Sequence, residues 1–195
     1  MRKKRWWHKS KHHTALFSVL AAVGIFFASL IALYVAEAIW PVLPQVDTPA
    51  RLVVPSISVD AVIEFVGVTK EGRMDMPTNF TDVGWYVSGP RPGQAGTAVV
   101  AGHFDTNRDQ NAVFAKLSLL KVGSDIYVKD GSGQKIRFRV TAKEVYDDAK
   151  APLEKIFNQK GFTSRLNLVT CGGTWDEKTQ NYSKRLVVYS EWVPS

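Results

Sequence analysis

The chain contains one cysteine, and it lies in the stretch Arg165-Leu-Asn-Leu-Val-Thr-Cys-Gly-Gly173. The leucines, the valine and the threonine of this stretch favour a buried β-strand, and the two glycines after the thiol predict that the strand ends there. Cys171 is therefore expected at the C-terminal end of a strand, where rigid scaffolds often present reactive groups. A free cysteine is also commonly a small buried hydrophobic residue, so its position alone leaves both interpretations open.

The chain around this stretch has the same character, with short apolar runs separated by turn signals. Strands are predicted at residues 51–54, 59–66, 82–87, 97–101, 125–129, 135–145, 165–170 and 186–193. One short helix is predicted at residues 111–119, where apolar side chains recur at helical spacing. About eight strands with only short helices predict a mainly β fold, either a closed barrel or a sandwich.

The net charge of +7 is concentrated at the N-terminus. The first 13 residues hold six of the 25 basic side chains, which leaves 19 basic against 18 acidic residues in the rest of the chain. This near-neutral balance argues against a nucleic-acid-binding face. The three histidines of the tail (His8, His12 and His13) have no acidic or thiol neighbours, so no metal site is predicted there.

An uncharged run of 23 residues, 14–36, follows the basic tail. As a helix it would be about 34 Å long, enough to cross a hydrocarbon core of about 30 Å. The preceding positive charges predict a cytoplasmic N-terminus and an extracellular remainder. We therefore expect a cytoplasmic tail at 1–13, a transmembrane helix at 14–36, a stiff Pro-rich linker at 37–49 and a folded domain at 50–195. A cleaved signal peptide is the alternative, although the apolar run is longer than its usual apolar region.

Two further residues are candidates for chemistry with the thiol. His103 is the only histidine outside the basic tail, and it too follows an apolar run that ends in glycine. Arg185 opens the last apolar strand, 14 residues after Cys171. If the last two strands are neighbours, Arg185 lies beside the thiol; otherwise it is a solvent-exposed arginine. A thiol, an imidazole and a permanent cation together are suited to acyl transfer through a covalent intermediate.

These motifs resemble the signature of sortases, the membrane-anchored cysteine transpeptidases of Gram-positive-type bacteria. The resemblance rests on Leu168-Val-Thr-Cys171, on the earlier Gly102-His103 and on Arg185 before a final apolar strand. The order His, Cys, Arg disfavours papain-like and NlpC-like peptidases, in which the cysteine precedes the histidine. The chain also lacks the Ser-x-Gly-Cys sequence of L,D-transpeptidases.

The resemblance extends from about residue 50 to residue 192 and is greatest to class F sortases, with classes D and E less similar. Val83-Gly-Trp-Tyr86 and Ala101-Gly-His-Phe-Asp105 carry this comparison. The chain departs from the usual Thr-Leu-x-Thr-Cys at its first position, which is Asn167. That position lies four residues before the thiol, so the departure casts little doubt on activity.

The resemblance implies a closed sortase-type β-barrel and specific roles for the three residues. Cys171 would attack the Thr–Gly carbonyl of a signal such as Leu-Pro-x-Thr-Gly, His103 would transfer protons, and Arg185 would stabilise the oxyanion. Thr170, Trp175 and Asp105 are weaker candidates for substrate contacts, and Asp105 is alternatively an exposed turn residue. The expected partners are surface proteins that bear the sorting signal, and an amine of a peptidoglycan precursor or of a pilin.

The ionisation of the pair poses a quantitative problem. With ordinary pKa values, the thiolate and the imidazolium are each present in about 10% of molecules near pH 7.5, and both together in about 1%. A bell-shaped pH–rate profile is therefore expected. No cofactor is predicted, and Asp147, Asp148 and Glu154 are too few for the six or more oxygens of a calcium site. A non-catalytic, membrane-tethered binding module stays as the alternative function.

Overall fold

The computed structural model describes residues 20–33, 43–105, 112–159 and 161–194. The chain divides into two units, Met1–Val42 and Leu43–Ser195. In the first unit, residues 20–33 form a helix, α1. Within the described ranges, no helix has the length and apolar character needed to cross a membrane. The predicted tail at 1–13 lies outside the described residues, as do positions 14–19 and 34–36 of the predicted span.

The second unit is a closed β-barrel, which confirms the mainly β prediction and selects the barrel over the sandwich. Around the barrel the strands follow the order β1-β2-β3-β4-β7-β8-β6-β5, and β5 pairs with β1 to close it. The strands are β1 (Pro49–Val54), β2 (Val59–Val66), β3 (Val83–Tyr86), β4 (Gly96–Gly102), β5 (Asp125–Asp130), β6 (Lys135–Asp147), β7 (Ser164–Asp176) and β8 (Asn181–Trp192). A short helix, α2 (Leu153–Phe157), and the 3₁₀ turn Asp148–Lys150 lie between β6 and β7.

The core follows from the alternation of side chains along the strands. In β2, Val59, Ala61 and Ile63 are buried, whereas Asp60 and Val62 between them are exposed. Phe114, from the connection between β4 and β5, is fully buried in the same core. Burial of each such large side chain stabilises the fold by about 1.5–3 kcal/mol. This packing holds the strands, and therefore the residues at their ends, in fixed positions.

The predicted helix at 111–119 is wrong in the part that the structure describes. Residues 112–116 form turns, and only Leu117–Leu119 forms a 3₁₀ helix. Phe114 and Leu117 are both fully buried, as is Leu120. A three-residue spacing of apolar side chains suits a tight turn that inserts into a core as well as it suits an α-helix.

The strand with the cysteine is longer than predicted. β7 does not end at the glycines but continues to Asp176, and β8 begins at Asn181 rather than near residue 186. The register shifts between Gly172 and Trp175, and Gly173 has a positive φ of 79° there. The glycines therefore form an irregularity within a long hairpin instead of ending the strand.

The end of the predicted linker lies against the barrel. Val46 packs on the core, and the Asp47 N–H donates to Asp130 at 3.0 Å. Asp130 also accepts hydrogen bonds from Ser132 and from the Gln134 N–H. The turn between β5 and β6 thus fastens the chain just before β1.

Candidate active site

Cys171 and Arg185 face each other on the last two strands. These strands are antiparallel neighbours, and Cys171 and Arg185 are Cα partners in their register. Cys171 is partly buried, and the Arg185 side chain is 15% exposed. The β7–β8 pairing therefore brings the arginine beside the thiol.

His103 reaches the same place from a different strand. β4 pairs in parallel with β7, with Ala101 opposite Val169. β4 ends at Gly102, and an extension of this register by two residues would place His103 opposite Cys171. The Thr170 hydroxyl supports the alignment, because it donates to the Gly102 carbonyl at 2.7 Å. The barrel thus joins two residues that are 68 positions apart in the sequence.

The imidazole of His103 is held by the segment 67–82, between β2 and β3. Its Nε2 lies 2.9 Å from the Pro77 carbonyl, and the Phe80 ring lies 4.4 Å from the imidazole, centroid to centroid. A carbonyl oxygen only accepts, so Nε2 carries the proton in this contact. When the ring is neutral, Nδ1 is consequently its basic nitrogen.

Arg185 is fixed by contacts at both terminal nitrogens. Nη1 donates to the main-chain oxygens of Tyr182 (3.0 Å) and Lys184 (2.8 Å). Nη2 donates to Asn181 Oδ1 at 2.6 Å and forms a 2.8 Å ion pair with Asp148. None of the hydrogen bonds within the described residues uses Nε, so that N–H is the remaining donor of the guanidinium.

The surroundings of Cys171 favour the neutral thiol. Burial raises the pKa of Cys171, and Arg185 is the main influence that opposes the rise. Among the smaller influences, the charges of Asp148 and Asp105 raise this pKa further, whereas the charge of Arg73 lowers it. The thiolate is therefore rarer at neutral pH than in an exposed cysteine.

Asp105 and Trp175 belong to a cluster around Tyr182. The Tyr182 hydroxyl donates to Asp105 Oδ2 in a short hydrogen bond. Burial and, to a smaller extent, the bond to Asp105 together raise the pKa of Tyr182 to about 12. The rings of Trp175 and Phe104 pack edge-on against Tyr182, with centroids 5.1 and 5.9 Å away. Tyr182 therefore joins the segment after His103 to the β7–β8 hairpin.

A cleft of about 790 Å³ opens beside Cys171. Its floor is formed by β7, and its sides by the segment 67–82 and by residues 148–158. The apolar side chains in its lining include Val68, Met74, Met76, Leu153, Ile156 and Phe157. Asn167 helps to hold one side in place, since its Nδ2 donates to the Ile156 carbonyl at 2.7 Å.

Several residues of the site escaped the sequence analysis. Arg73, Asp148 and Asn181 surround Arg185, Tyr182 binds Asp105, and Pro77 binds His103. The sequence presents Asp148 only as a possible calcium ligand, whereas in the structure its carboxylate contacts Arg73 and Arg185. The described residues contain no group of three acidic, histidine or cysteine side chains that could hold a metal ion.

Comparison with known proteins shows the family and the fold of the domain. Residues 52–193 match the Sortase domain family. Sortase C-1 from Actinomyces oris is 26% identical over 75% of this chain and 74% of its own, with a TM-score of 0.59. A lid mutant of sortase A from Corynebacterium diphtheriae (19%, covering 78% and 73%, TM-score 0.59) and a sortase D5 transpeptidase from Clostridium perfringens (19%, covering 77% and 83%, TM-score 0.55) share the fold. Among curated proteins, none matches the sequence.

Proposed function

The chain belongs to the sortase family of cysteine transpeptidases, and on that premise we propose that it attaches proteins to the cell wall. It would cleave a Leu-Pro-x-Thr-Gly-like sorting signal between Thr and Gly and transfer the new acyl end to an amine. The observation that carries this proposal is the pairing of Cys171 with Arg185 beside a cleft, with His103 just beyond the end of the neighbouring strand β4. The same thioacyl intermediate would be hydrolysed if water replaced the amine.

The proposed reaction begins with the thiolate–imidazolium form of the pair. Sγ of Cys171 attacks the threonine carbonyl carbon, and Arg185 stabilises the oxyanion. The intermediate collapses when the C–N bond breaks, and the His103 imidazolium gives its proton to the departing glycine amine. The acceptor amine then attacks the thioester and gives a proton to His103, which releases the Cys171 thiolate.

The resting contact of His103 indicates which of its nitrogens exchanges protons. The His103 Nε2 donates to the Pro77 carbonyl, so Nδ1 would exchange a proton with the thiol and the substrate unless the ring turns. Catalytic hydrogen bonds are often loose before substrate binds. Burial of the thiol makes its ionisation costly, which fits a pH–rate profile whose alkaline side is set by Cys171.

The cleft suits an extended peptide with apolar side chains. Leu153 and Val68 are 64% and 51% exposed in its sides, and a bound peptide would cover them. A volume of about 790 Å³ is within the range of about 300–1,000 Å³ typical of ligand sites. Thr170 also lines the cleft, but its hydroxyl already donates to the Gly102 carbonyl. Thr170 would therefore shape the cleft rather than hydrogen-bond the substrate.

We further propose that residues 14–36 anchor the protein in the cell membrane, with the tail at 1–13 inside and the barrel outside. The support is the uncharged length of this run and the positive charges before it. Mass spectrometry of the membrane-bound protein tests the anchor: an N-terminus at Ile39 would indicate a cleaved signal peptide instead. Class F is likewise a proposal from the motifs, and the acceptor is an amine of peptidoglycan or of a pilin.

The function is tested by incubating the full chain with a library of Leu-Pro-x-Thr-Gly-like peptides and an amine. Mass spectrometry should detect a thioacyl adduct on Cys171 and the transferred product. Cys171→Ala should abolish both while the circular dichroism spectrum is unchanged. Cleavage by Cys171→Ala at the wild-type rate would refute the mechanism, and no cleavage by the wild type would favour the non-catalytic binding module.

A further inference from the structure

Asp148 connects Arg185 to the opposite side of the cleft. Its Oδ1 lies 2.8 Å from Nη2 of Arg185. Its Oδ2 accepts hydrogen bonds from Arg73 Nη2 and from Asn181 Nδ2, both at 2.7 Å. One carboxylate therefore joins β8 to the segment 67–82, which carries Arg73.

Asn181 completes a closed set of contacts. Its amide nitrogen donates to Asp148, and its amide oxygen accepts from Arg185 Nη2 at 2.6 Å. The Arg185 and Asp148 side chains are 15% and 25% exposed. This ion pair is thus more shielded from water than a surface pair, for which high dielectric and free rotation reduce the interaction.

These contacts determine which donor of Arg185 is available. Both terminal nitrogens are engaged by main-chain oxygens, Asn181 or Asp148. The planar guanidinium cannot turn about one of these contacts without weakening the others. Among the described residues none accepts a hydrogen bond from Nε–H, so this donor remains for a ligand.

We propose that Asp148 is a positioning residue for acyl transfer, which holds the Arg185 guanidinium so that its Nε–H is presented to the oxyanion. The inference rests on the proposed function. Asp148 does not touch the substrate in this role. It limits the orientations of the group that does, and displacement of such a group by about 1 Å can cost about 100-fold in rate.

The adjacent Asp147 is a natural control. It has the same side chain, but it pairs with Lys184 at 3.0 Å and with Lys150 at 4.0 Å, and it is 54% exposed. Its contacts are therefore made to the side-chain ammonium groups of two lysines, whereas Arg185 contacts only the main-chain oxygen of Lys184. Asp147→Asn removes the same charge at a neighbouring position and leaves the contacts of Arg185 intact.

The proposal predicts two effects of opposite direction for Asp148→Asn. Peptide turnover should fall, because the guanidinium loses its ionic partner. The thiol should become more acidic, because Asp148 raises the pKa of Cys171. The other charged side chains that act on the thiol, namely Arg185, Arg73 and Asp105, keep their charges in this variant, and His103 is unchanged; Arg185 loses only the restraint on its orientation. A merely structural role would not combine a more reactive thiol with a slower enzyme.

The experiment uses the full chain and measures two quantities for the wild type, Asp148→Asn and Asp147→Asn. The first is the rate of alkylation of Cys171 by iodoacetamide as a function of pH. The second is kcat and KM for cleavage of a sorting-signal peptide. For Asp148→Asn we expect kcat to fall about 10- to 100-fold, KM to change by less than about threefold, and the alkylation profile to shift to lower pH. Asp147→Asn should match the wild type in both.

A wild-type kcat in Asp148→Asn, or an equal loss in Asp147→Asn, would overturn the proposal. If Asp148→Asn does not fold, Asp148→Glu is measured in its place. For that variant, a lower kcat with unchanged KM supports the proposal, and a wild-type kcat overturns it. If the wild type cleaves no peptide, the proposed function fails, but the alkylation measurement still applies. An unshifted profile in Asp148→Asn would then show that Asp148 does not act on the site.

Discussion

Gly102, which directly precedes His103, has no room for a side chain. A Cβ built at this position would lie 2.6 Å from Cδ2 and 2.9 Å from Cε2 of Phe114, and 2.8 Å from Cγ1 of Val113. Phe114 is fully buried, so its ring cannot move aside without disturbing the core. Gly102→Ala should therefore both destabilise the barrel and displace His103.

The expected magnitude follows from the cost of overpacking a core. Inserting one methyl group into such a site costs about 1–3 kcal/mol. In a domain of this size each kcal/mol lowers Tm by about 2–4 °C, so the total decrease should be about 2–12 °C. The Gly102 carbonyl also accepts the Thr170 hydroxyl. A shift here consequently moves His103 relative to Cys171, and we expect at least about a tenfold loss of peptide turnover.

Gly172 provides a matched control, because each of the two glycines is adjacent to a candidate catalytic residue: Gly172 follows Cys171, and Gly102 precedes His103. A Cβ at Gly172 would meet nothing within 4 Å, and its φ is not in the positive range. Thermal unfolding of the full chain, followed by circular dichroism, should give Gly172→Ala a Tm equal to or slightly above that of the wild type. A Tm for Gly102→Ala within about 1 °C of the Gly172→Ala value would refute the packing argument.

Three further predictions concern other parts of the domain. Tyr182→Phe removes the hydrogen bond to Asp105, and we expect kcat for peptide cleavage to fall severalfold while far-UV circular dichroism is unchanged; a wild-type kcat would argue against this link. Burial disfavours the charged form of Asp130, but the hydrogen bonds that its carboxylate accepts outweigh burial and lower its pKa. The ionised carboxylate therefore stabilises the fold above the unfolded-state pKa of about 3.9, and this stabilisation is lost as the pH falls below that value. Asp130→Asn should lower the free energy of unfolding, measured in urea at pH 7, by about 1–3 kcal/mol, because an amide N–H would face the Asp47 N–H. The variant's stability should also depend less on pH in the acid range. Equal urea unfolding curves for the variant and the wild type at pH 7 would contradict this prediction. Addition of EDTA should leave peptide cleavage unchanged, and loss of activity restored by calcium would reveal a metal requirement.

The strands that could be predicted from the sequence are those in which the pattern of apolar and polar side chains itself indicates which face is buried. The bounds of β2 match because its alternation and the flanking turn residues are local signals. The extension of β7 past Gly172 was missed, since it depends on hydrogen bonding to β8 rather than on the preferences of glycine. The segment at 112–119 was misread because its apolar spacing fits both a helix and a turn that enters the core.

The site was predictable to the extent that its residues are chemically distinctive. Cys171 and His103 are the only thiol and the only histidine of the domain, and Arg185 was placed by the expected pairing of the last strands. Asp148 was one of many carboxylates, and its role depends on contacts with Arg73, which is 75 positions away. No local pattern specifies such a contact, because it is created when the two sides of the cleft meet.

The order of the strands has a consequence for biosynthesis. The β4–β7 pair brings together residues separated by 68 positions, and β8 inserts between β7 and β6. Such non-local pairing slows folding, because the loop between the strands must close before the contacts form. A chain that emerges N-terminus first therefore exposes His103 long before Cys171 and Arg185 exist. The candidate site is complete only when β7 and β8 have been synthesised, so a chain that stops before β7 lacks both the candidate nucleophile and its arginine partner.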